Sequence, residues 1–420
     1  MKKKILSTII ATTLASAMIF TGCGSAATDG ATQATAATEG SADVEYEKLV
    51  IFQSKVEIGD QLNAAAEQFS EETGIEVEVW ETSGDNYYTD LKTDLSTEAG
   101  PTLFSLAPGS QSVEMVDYLE DVSGLSFIDK VSDGMVDEID GKVVGIPYTL
   151  EGFGLTYNKN LVDPATINST DALVDFLASA KADGINGLGL SQESYFLIMH
   201  ILNTPFALQE NPEEFLAKVL SGETRMYDNE EFVEFAKVME AIRANCTNPV
   251  DVSYDNNCGD FATGKTAMIH QGNWCYGNFA DYDIDFEMGI APLPLCGNNK
   301  IAVSVPAAWY INADATEGAK ASAKAFLEWL YTSDAGADYL MNQFGFIPVV
   351  DGMTADSLDP LSASVGEAAA AGNTITWNLS IWPAGIDSNL APVVSEFFVS
   401  DMTGEELVNN LNDVFVSAAN

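Results

Sequence analysis

Gly259-Asp-Phe-Ala-Thr-Gly-Lys-Thr-Ala-Met-Ile-His-Gln-Gly-Asn-Trp274 is the stretch on which the fold turns. Its opening satisfies the formal P-loop pattern: Gly259, four residues, then Gly264-Lys265-Thr266. A P-loop needs an apolar strand before it and a helix after it, so that helix-start amides cradle phosphates. Neither is present. Residues 251–257 are polar, and Ala267-Met-Ile-His-Gln271 reads as a short strand that stops at Gly272 and leaves Trp274 at its tip. Nucleotide binding is therefore not expected.

Two other stretches belong with this one. Gly145-Ile-Pro-Tyr-Thr-Leu-Glu151-Gly-Phe-Gly-Leu-Thr-Tyr157-Asn158-Lys159 places two glycines around an acidic residue between strand-like runs. Ala99-Gly-Pro101-Thr-Leu-Phe-Ser105 closes an alternating βα pattern. Together, in this order, the three resemble the signatures of extracellular solute-binding protein family 1, which serves carbohydrate ABC importers. The resemblance implies an α/β, two-lobed, periplasmic-binding-protein-like fold of type II. Each lobe would be a mostly parallel sheet flanked by helices, with the ligand cleft between lobes. Maltose-binding members place a Trp and an Asp where Leu106 and Gly109 stand, so maltodextrin is not the expected ligand.

The N-terminus reads as an export signal. Lys2-Lys3-Lys4 is a positive n-region, residues 5–20 are an apolar run, and Thr21-Gly22-Cys23 is a small-residue site. The run is too short for a span of about 20 residues. Its ending resembles a bacterial lipoprotein signal over 1–22, with Cys23 as the lipidated residue. An ordinary signal peptide with an incidental Cys is the alternative. Residues 23–45 are Ala, Thr, Gly and Ser with scattered acid, a flexible tether.

Net charge is −45 at pH 7, from 63 acidic against 18 basic residues. Such a field repels nucleic acid and anionic lipid and disfavours phosphorylated ligands. Beyond Cys23 lie Cys246, Cys258, Cys275 and Cys296, an even set that permits disulfides in an exported chain. Cys246 with Cys258 would staple the loop before the signature strand; free thiols are equally consistent. No Cys-x-x-Cys spacing suggests zinc. The acidic run 281–287 lacks the loop glycine and distal Glu of an EF-hand, and its period of two suits the wet edge of a strand.

Periodicity orders the rest. A buried strand over 48–52, a helix with Leu62, Ala65 and Phe69 ending at Gly74, a strand over 75–79, a helix with Leu91 and Leu95, and a strand over 102–106 make β-α-β-α-β. The pattern restarts after Glu151, with helices over 171–182, 194–202, 213–220 and 230–244 and a strand over 188–190. Residues 301–312 read as a strand pair or extended crossing, followed by a helix over 319–330 and a last helix over 404–416. Chain order in the resembled family assigns 46–150 and 303–350 to lobe 1 and 151–302 and 351–420 to lobe 2.

Ligands of open α/β sheets bind beyond the carboxyl ends of strands. Gln53 and Ser54 follow the first strand, Tyr87 follows a polar loop, and Glu193 and Tyr195 follow the strand over 188–190. Glu151 stands at the crossover and Trp274 at the signature tip. Aromatic faces take sugar C–H faces and carboxylates take hydroxyls. The resemblance implies sugar contact for Glu151, Glu193, Tyr195 and Trp274. Trp382 is a further candidate wall, balanced against a core role. Trp309 reads as core, and His200 and His270 as buried histidines in apolar runs. No His-Glu-x-x-His or Gly-x-Ser-x-Gly motif points to catalysis.

The expected function is an extracellular substrate-binding lipoprotein on the outer face of the cell membrane. It would deliver a mono- or oligosaccharide to ABC permease subunits. It would act as a monomer, without cofactor, metal or nucleic acid, and not as an enzyme. A receptor for a peptide, polyamine or iron chelate, or a ligand sensor for a signalling kinase, is the alternative.

Overall fold

The structure, a computed structural model, describes residues 45–82, 86–97, 99–132, 134–280, 282–355 and 357–419. Cys23, the signal and nearly all of the tether lie outside the described residues. The strands in chain order are β1 Leu49–Gln53, β2 Val77–Glu81, β3 Leu103–Leu106, β4 Asp137–Ile139, β5 Lys142–Pro147 and β6 Glu151–Asn158. They continue with β7 Met268–Gly272, β8 Met288–Ala291, β9 Ile301–Ser304, β10 Ala308–Ile311 and β11 Thr374–Ile375.

Two sheets result. The first has the order β2-β1-β3-β10-β5-β4. β1 pairs parallel with β2 and β3, as two successive crossovers require, while β10 returns antiparallel between β3 and β5. The helix Gly59–Thr73 buries Leu62, Ala65 and Phe69 on this sheet and ends at Gly74, whose φ of 77° suits a residue without Cβ.

Both sheets correct the expectation of mostly parallel pairing: in the first, β10 with β3, β10 with β5 and β4 with β5 are antiparallel, three pairings of five, and the second sheet goes further. Its centre is the long strand β6, antiparallel to β7 on one edge and to β9 and β8 in turn on the other. Only β11 with β9 and isolated bridges at Asn186 and Gly189 are parallel. The reason lies in the route: β6 carries the chain into the lobe, and β7, β8 and β9 all run back against it. The strand expected over 188–190 is thereby reduced to a bridge from Gly189 to Ile269. Likewise the strand expected from the acidic run begins only at Met288.

The chain passes between the sheets three times: from β5 to β6, between β9 and β10, and beyond Ile347. The 301–312 stretch is thus no hairpin, since β9 and β10 belong to different sheets. Leu150 bridges Ile347, and the Thr149 hydroxyl accepts the Ile347 N–H at 2.8 Å, tying two of the passages together. Each sheet is packed on both faces. Phe69, Trp309 and Phe326 fill one side of the first sheet, and Phe104 and Tyr310 the other. Leu155, Phe206, Phe235 and Phe415 pack one side of the second, and Phe261, Ile269 and Leu361 the other. Among the described residues no helix is long and apolar enough to cross a membrane.

Candidate functional site

The opening stretch folds in the reverse order of a P-loop. The helix Tyr254–Ala262 comes first, Gly264 turns with φ of 72°, and β7 follows. Lys265 is exposed and paired with Asp260 at 3.0 Å, so no phosphate cradle exists there.

Trp274 opens a 3-10 turn, Asn273–Phe279, at the end of β7. Gly272 is extended, with φ of −119°, so conformational freedom is not why glycine stands there. A Cβ at 272 would lie 2.2 Å from the Trp274 ring and 2.4 Å from the Gly152 carbonyl. The indole therefore lies flush over a strand made bare by glycine. Its Nε1 donates to Gln271 Oε1 at 2.9 Å, which fixes the ring plane while leaving the side chain half-buried. Around it stand His200 at 5.1 Å, Trp377 at 6.1 Å edge-on, and Phe153 and Phe196 at 6.3 Å between centroids. Tyr195, half-buried, meets His200 edge-on at 5.8 Å. Tyr195–Met199 is a π-helical turn, a widening of the helix that is frequent at functional sites.

His200 and His270 are buried against Phe153. Burial pushes both imidazoles down, His270 to about 3, so the aromatic wall is uncharged at neutral pH. Glu193 is half-buried and accepts the Tyr254 N–H at 3.0 Å, at the start of the helix Tyr254–Ala262.

From lobe 1 the turn after β1 approaches this region: a Cβ at Gly277, in the Trp274 turn, would stand 4.0 Å from Glu57 Cβ. Gln53 ends β1 fully buried; its Nε2 donates to Glu81 at 3.3 Å and its Oε1 accepts the Lys55 N–H. Ser54 follows, half-buried. Lys55 reaches across to Glu151, the first residue of β6, and also binds Glu57 Oε1 at 2.9 Å. Its ammonium lies 6.0 Å from the Phe346 ring, at the third passage. Burial alone would lower the Lys55 pKa, but the carboxylates of Glu151 and Glu57 outweigh it and hold it well above the usual lysine value. For Glu151, burial raises the carboxyl above its usual range although Lys55 pulls it back. One buried ion pair thus joins the lobes at their hinge.

The lobes also meet at Gly109, whose φ is 106°. A Cβ there would stand 2.5 Å from the Ser380 carbonyl of lobe 2. Any side chain would prop the lobes apart and force a backbone shape that L-residues avoid. Gly109→Ala is expected to lose about 1–3 kcal/mol of stability, read by denaturant titration, and to scatter X-rays with a larger radius of gyration.

Of the expected site residues, Gln53, Glu151, Tyr87 and Trp382 are all buried with polar atoms engaged inside the protein. The Tyr87 hydroxyl sits 2.9 Å from both the Phe52 and Ser105 carbonyls and accepts the Ser105 N–H at 3.1 Å. It clamps β1 to β3 and has no capacity left for a ligand. Tyr87→Phe should cost about 1–2 kcal/mol in chemical denaturation while leaving affinity unchanged. Trp382 is 1 % exposed, packed on Phe206 and Phe415, with its Nε1 on Asn378 at 3.0 Å. The 3-10 turn Asn378–Ile381 separates the two tryptophans, sending Trp382 inward and Trp377 to the Trp274 wall. Lys55, Phe153 and Phe196 escaped the sequence reading. For Lys55 a signal existed, a basic residue directly after Gln53-Ser54 in a chain with few cations. All four cysteines among the described residues are free thiols in this structure, and Cys246 and Cys258 pack in different apolar clusters, which does not favour a staple between them.

Solved structures match the fold over most of their length. RafE in complex with raffinose superposes with a TM-score of 0.72 at 20% identity, over 89% of this chain and 100% of that one. A chitin oligosaccharide binding protein gives 0.76 at 18% identity, over 89% and 99%. A sugar transporter from Bacillus licheniformis in complex with stachyose gives 0.70 at 12% identity, over 88% and 100%. No curated protein matches the sequence. Residues 64–370 match the family described as bacterial extracellular solute-binding protein. That match covers most of the chain, and this two-lobed α/β protein is a member of the bacterial extracellular solute-binding protein family.

Proposed function

We propose that this protein is the carbohydrate receptor of an ABC importer, binding a mono- or oligosaccharide between its lobes and handing it to membrane permeases. The observation that carries the reading is the pair of half-buried rings Trp274 and Tyr195 in lobe 2, packed on buried, uncharged His200, Phe153 and Trp377, with Glu57 of lobe 1 beside the Trp274 turn. Ring faces take the C–H faces of a sugar, and Glu193 and Glu81 offer acceptors for its hydroxyls. Similar folds in complex with raffinose and stachyose favour the same ligand class. Ligand acts by binding the closed arrangement better than the open one, with the passages at 148–151, 304–308 and 347–360 absorbing the rotation. Domain limits of 46–150 with 303–350 and of 151–302 with 351–420 suit that motion.

A thermal-shift panel of neutral sugars, oligosaccharides, peptides and polyamines tests the reading. One or more sugars should raise the melting midpoint; a shift confined to peptides or polyamines overturns it. The best sugar should be recovered intact after hours with the protein, and steady product release would make this an enzyme instead. For anchoring, the proposed lipid site is Cys23. Cells expressing the wild-type chain should incorporate labelled fatty acid into it, and Cys23→Ser should take up none.

A further inference from the structure

Cys258 lies on the helix Tyr254–Ala262 and Cys275 directly follows Trp274 in the turn Asn273–Phe279. They are 1 % and 0 % exposed and share one apolar cluster with Phe261, Ile269 and Phe279. The Cys275 thiol lies close to the Cys258 sulfur, which receives Asn278 Nδ2 at 3.7 Å and lies near the Tyr254 hydroxyl. The other two thiols sit elsewhere. Cys246 packs beside the backbone of Gly187 and Leu188, and exposed Cys296 beside Glu234.

We propose that Cys258 and Cys275 close a disulfide when the chain folds outside the cytoplasm, riveting the turn that carries Trp274 to the neighbouring helix. Family membership puts the chain where disulfides persist. The bridge would span the segment containing β7, so the two ends of the signature stretch become covalently joined. Burial holds the Cys275 thiol protonated in the folded protein, so the bond forms during folding, while both sulfurs still reach solvent. With glutathione disulfide as oxidant, the Cys258 thiolate attacks one of its sulfurs and expels a glutathione thiolate. The Cys275 thiolate then attacks the Cys258 sulfur of the mixed disulfide and expels the second. One protein disulfide forms, one glutathione disulfide is reduced, and the two thiol protons pass to the two glutathiones.

The test uses the chain carrying Cys23→Ser, so that only the four thiols of the folded region count. The reduced, denatured protein is refolded in a glutathione redox buffer, then alkylated after unfolding and weighed. The expected result is two alkyl groups instead of four, together with a higher melting midpoint that reductant abolishes. Trypsin leaves Cys246 with Cys258 in one peptide and Cys275 with Cys296 in another, so single variants assign the bond. Cys246→Ser and Cys296→Ser should keep it, and Cys275→Ser should lose it. Four alkylated thiols in the refolded protein, or a bond that persists in Cys275→Ser, overturns the proposal.

Discussion

Trp274→Ala is expected to weaken sugar binding roughly thirty- to thousand-fold while leaving the fold in place. Truncating an aromatic anchor typically costs about 2–4 kcal/mol of binding free energy. Each decade of affinity is about 1.4 kcal/mol. The indole is pre-oriented: Gln271 holds its Nε1 and Gly272 gives it a bare strand to lie on, so little freedom is lost when a ligand stacks. Because the side chain is only half-buried, its loss should cost the unliganded protein less than the 3–5 kcal/mol of a fully buried aromatic. Trp274→Phe keeps a smaller ring and should lose much less affinity. Calorimetric titration beside a melt of unliganded protein separates the two quantities. Normal affinity in a well-folded Ala variant would remove Trp274 from the site and weaken the case for a carbohydrate.

Lys55→Met should cost about 3–5 kcal/mol of stability, the usual result of stripping one partner from a buried ion pair. The side chains of Lys55 and Glu151 are 13% and 7% exposed, so water cannot replace the missing ammonium around Glu151. Glu57 loses its partner at the same time. Glu151→Gln should cost less, since Lys55 keeps Glu57 and the amide still accepts a hydrogen bond. The double variant Lys55→Met with Glu151→Gln should recover part of the loss, and the difference across the cycle measures the coupling. The pH dependence has a definite sign. Lys55 has a raised folded pKa, so its contribution is complete below about pH 10.4, the unfolded value, and fades as pH climbs further. Glu151 also has a raised folded pKa, so proton uptake there favours the folded state and acid does not remove stability through this residue. Denaturant midpoints at pH 7 and pH 11 should therefore fall less in Lys55→Met than in wild type. A loss under about 1 kcal/mol at pH 7 would mean that the lobes are not joined by this pair.

Much of the architecture was legible locally. The helices ending at Gly74 and Ala182, the strand after Gly264 and the long final helix follow from apolar spacing and from glycines that stop it. The same spacing could not tell a cleft from a core. Tyr87 and Trp274 both follow polar residues, yet the Tyr87 hydroxyl is fully engaged with Phe52 and Ser105 while the Trp274 side chain stays half-buried. Trp377 and Trp382 share one short motif and are both buried, and the 3-10 turn between them decides which packs behind Trp274 and which against Phe206 and Phe415.

The sequence by itself determined the family, the alternation of strand and helix in the first lobe, the exclusion of a phosphate loop, and Trp274 as the tip of a strand. These depend on local chemistry: turn residues, period, and the order of elements along the chain. Tertiary structure alone decided the antiparallel second sheet, the pairing of Lys55 with Glu151, the neighbouring sulfurs of Cys258 and Cys275, and the assignment of Tyr87 and Trp382 to the core. Each of these depends on which distant segments meet, Lys55 with a residue 96 positions away. Side-chain type records what a residue is able to bind, whereas burial and partners are set only once three passages of the chain have closed two lobes around one hinge.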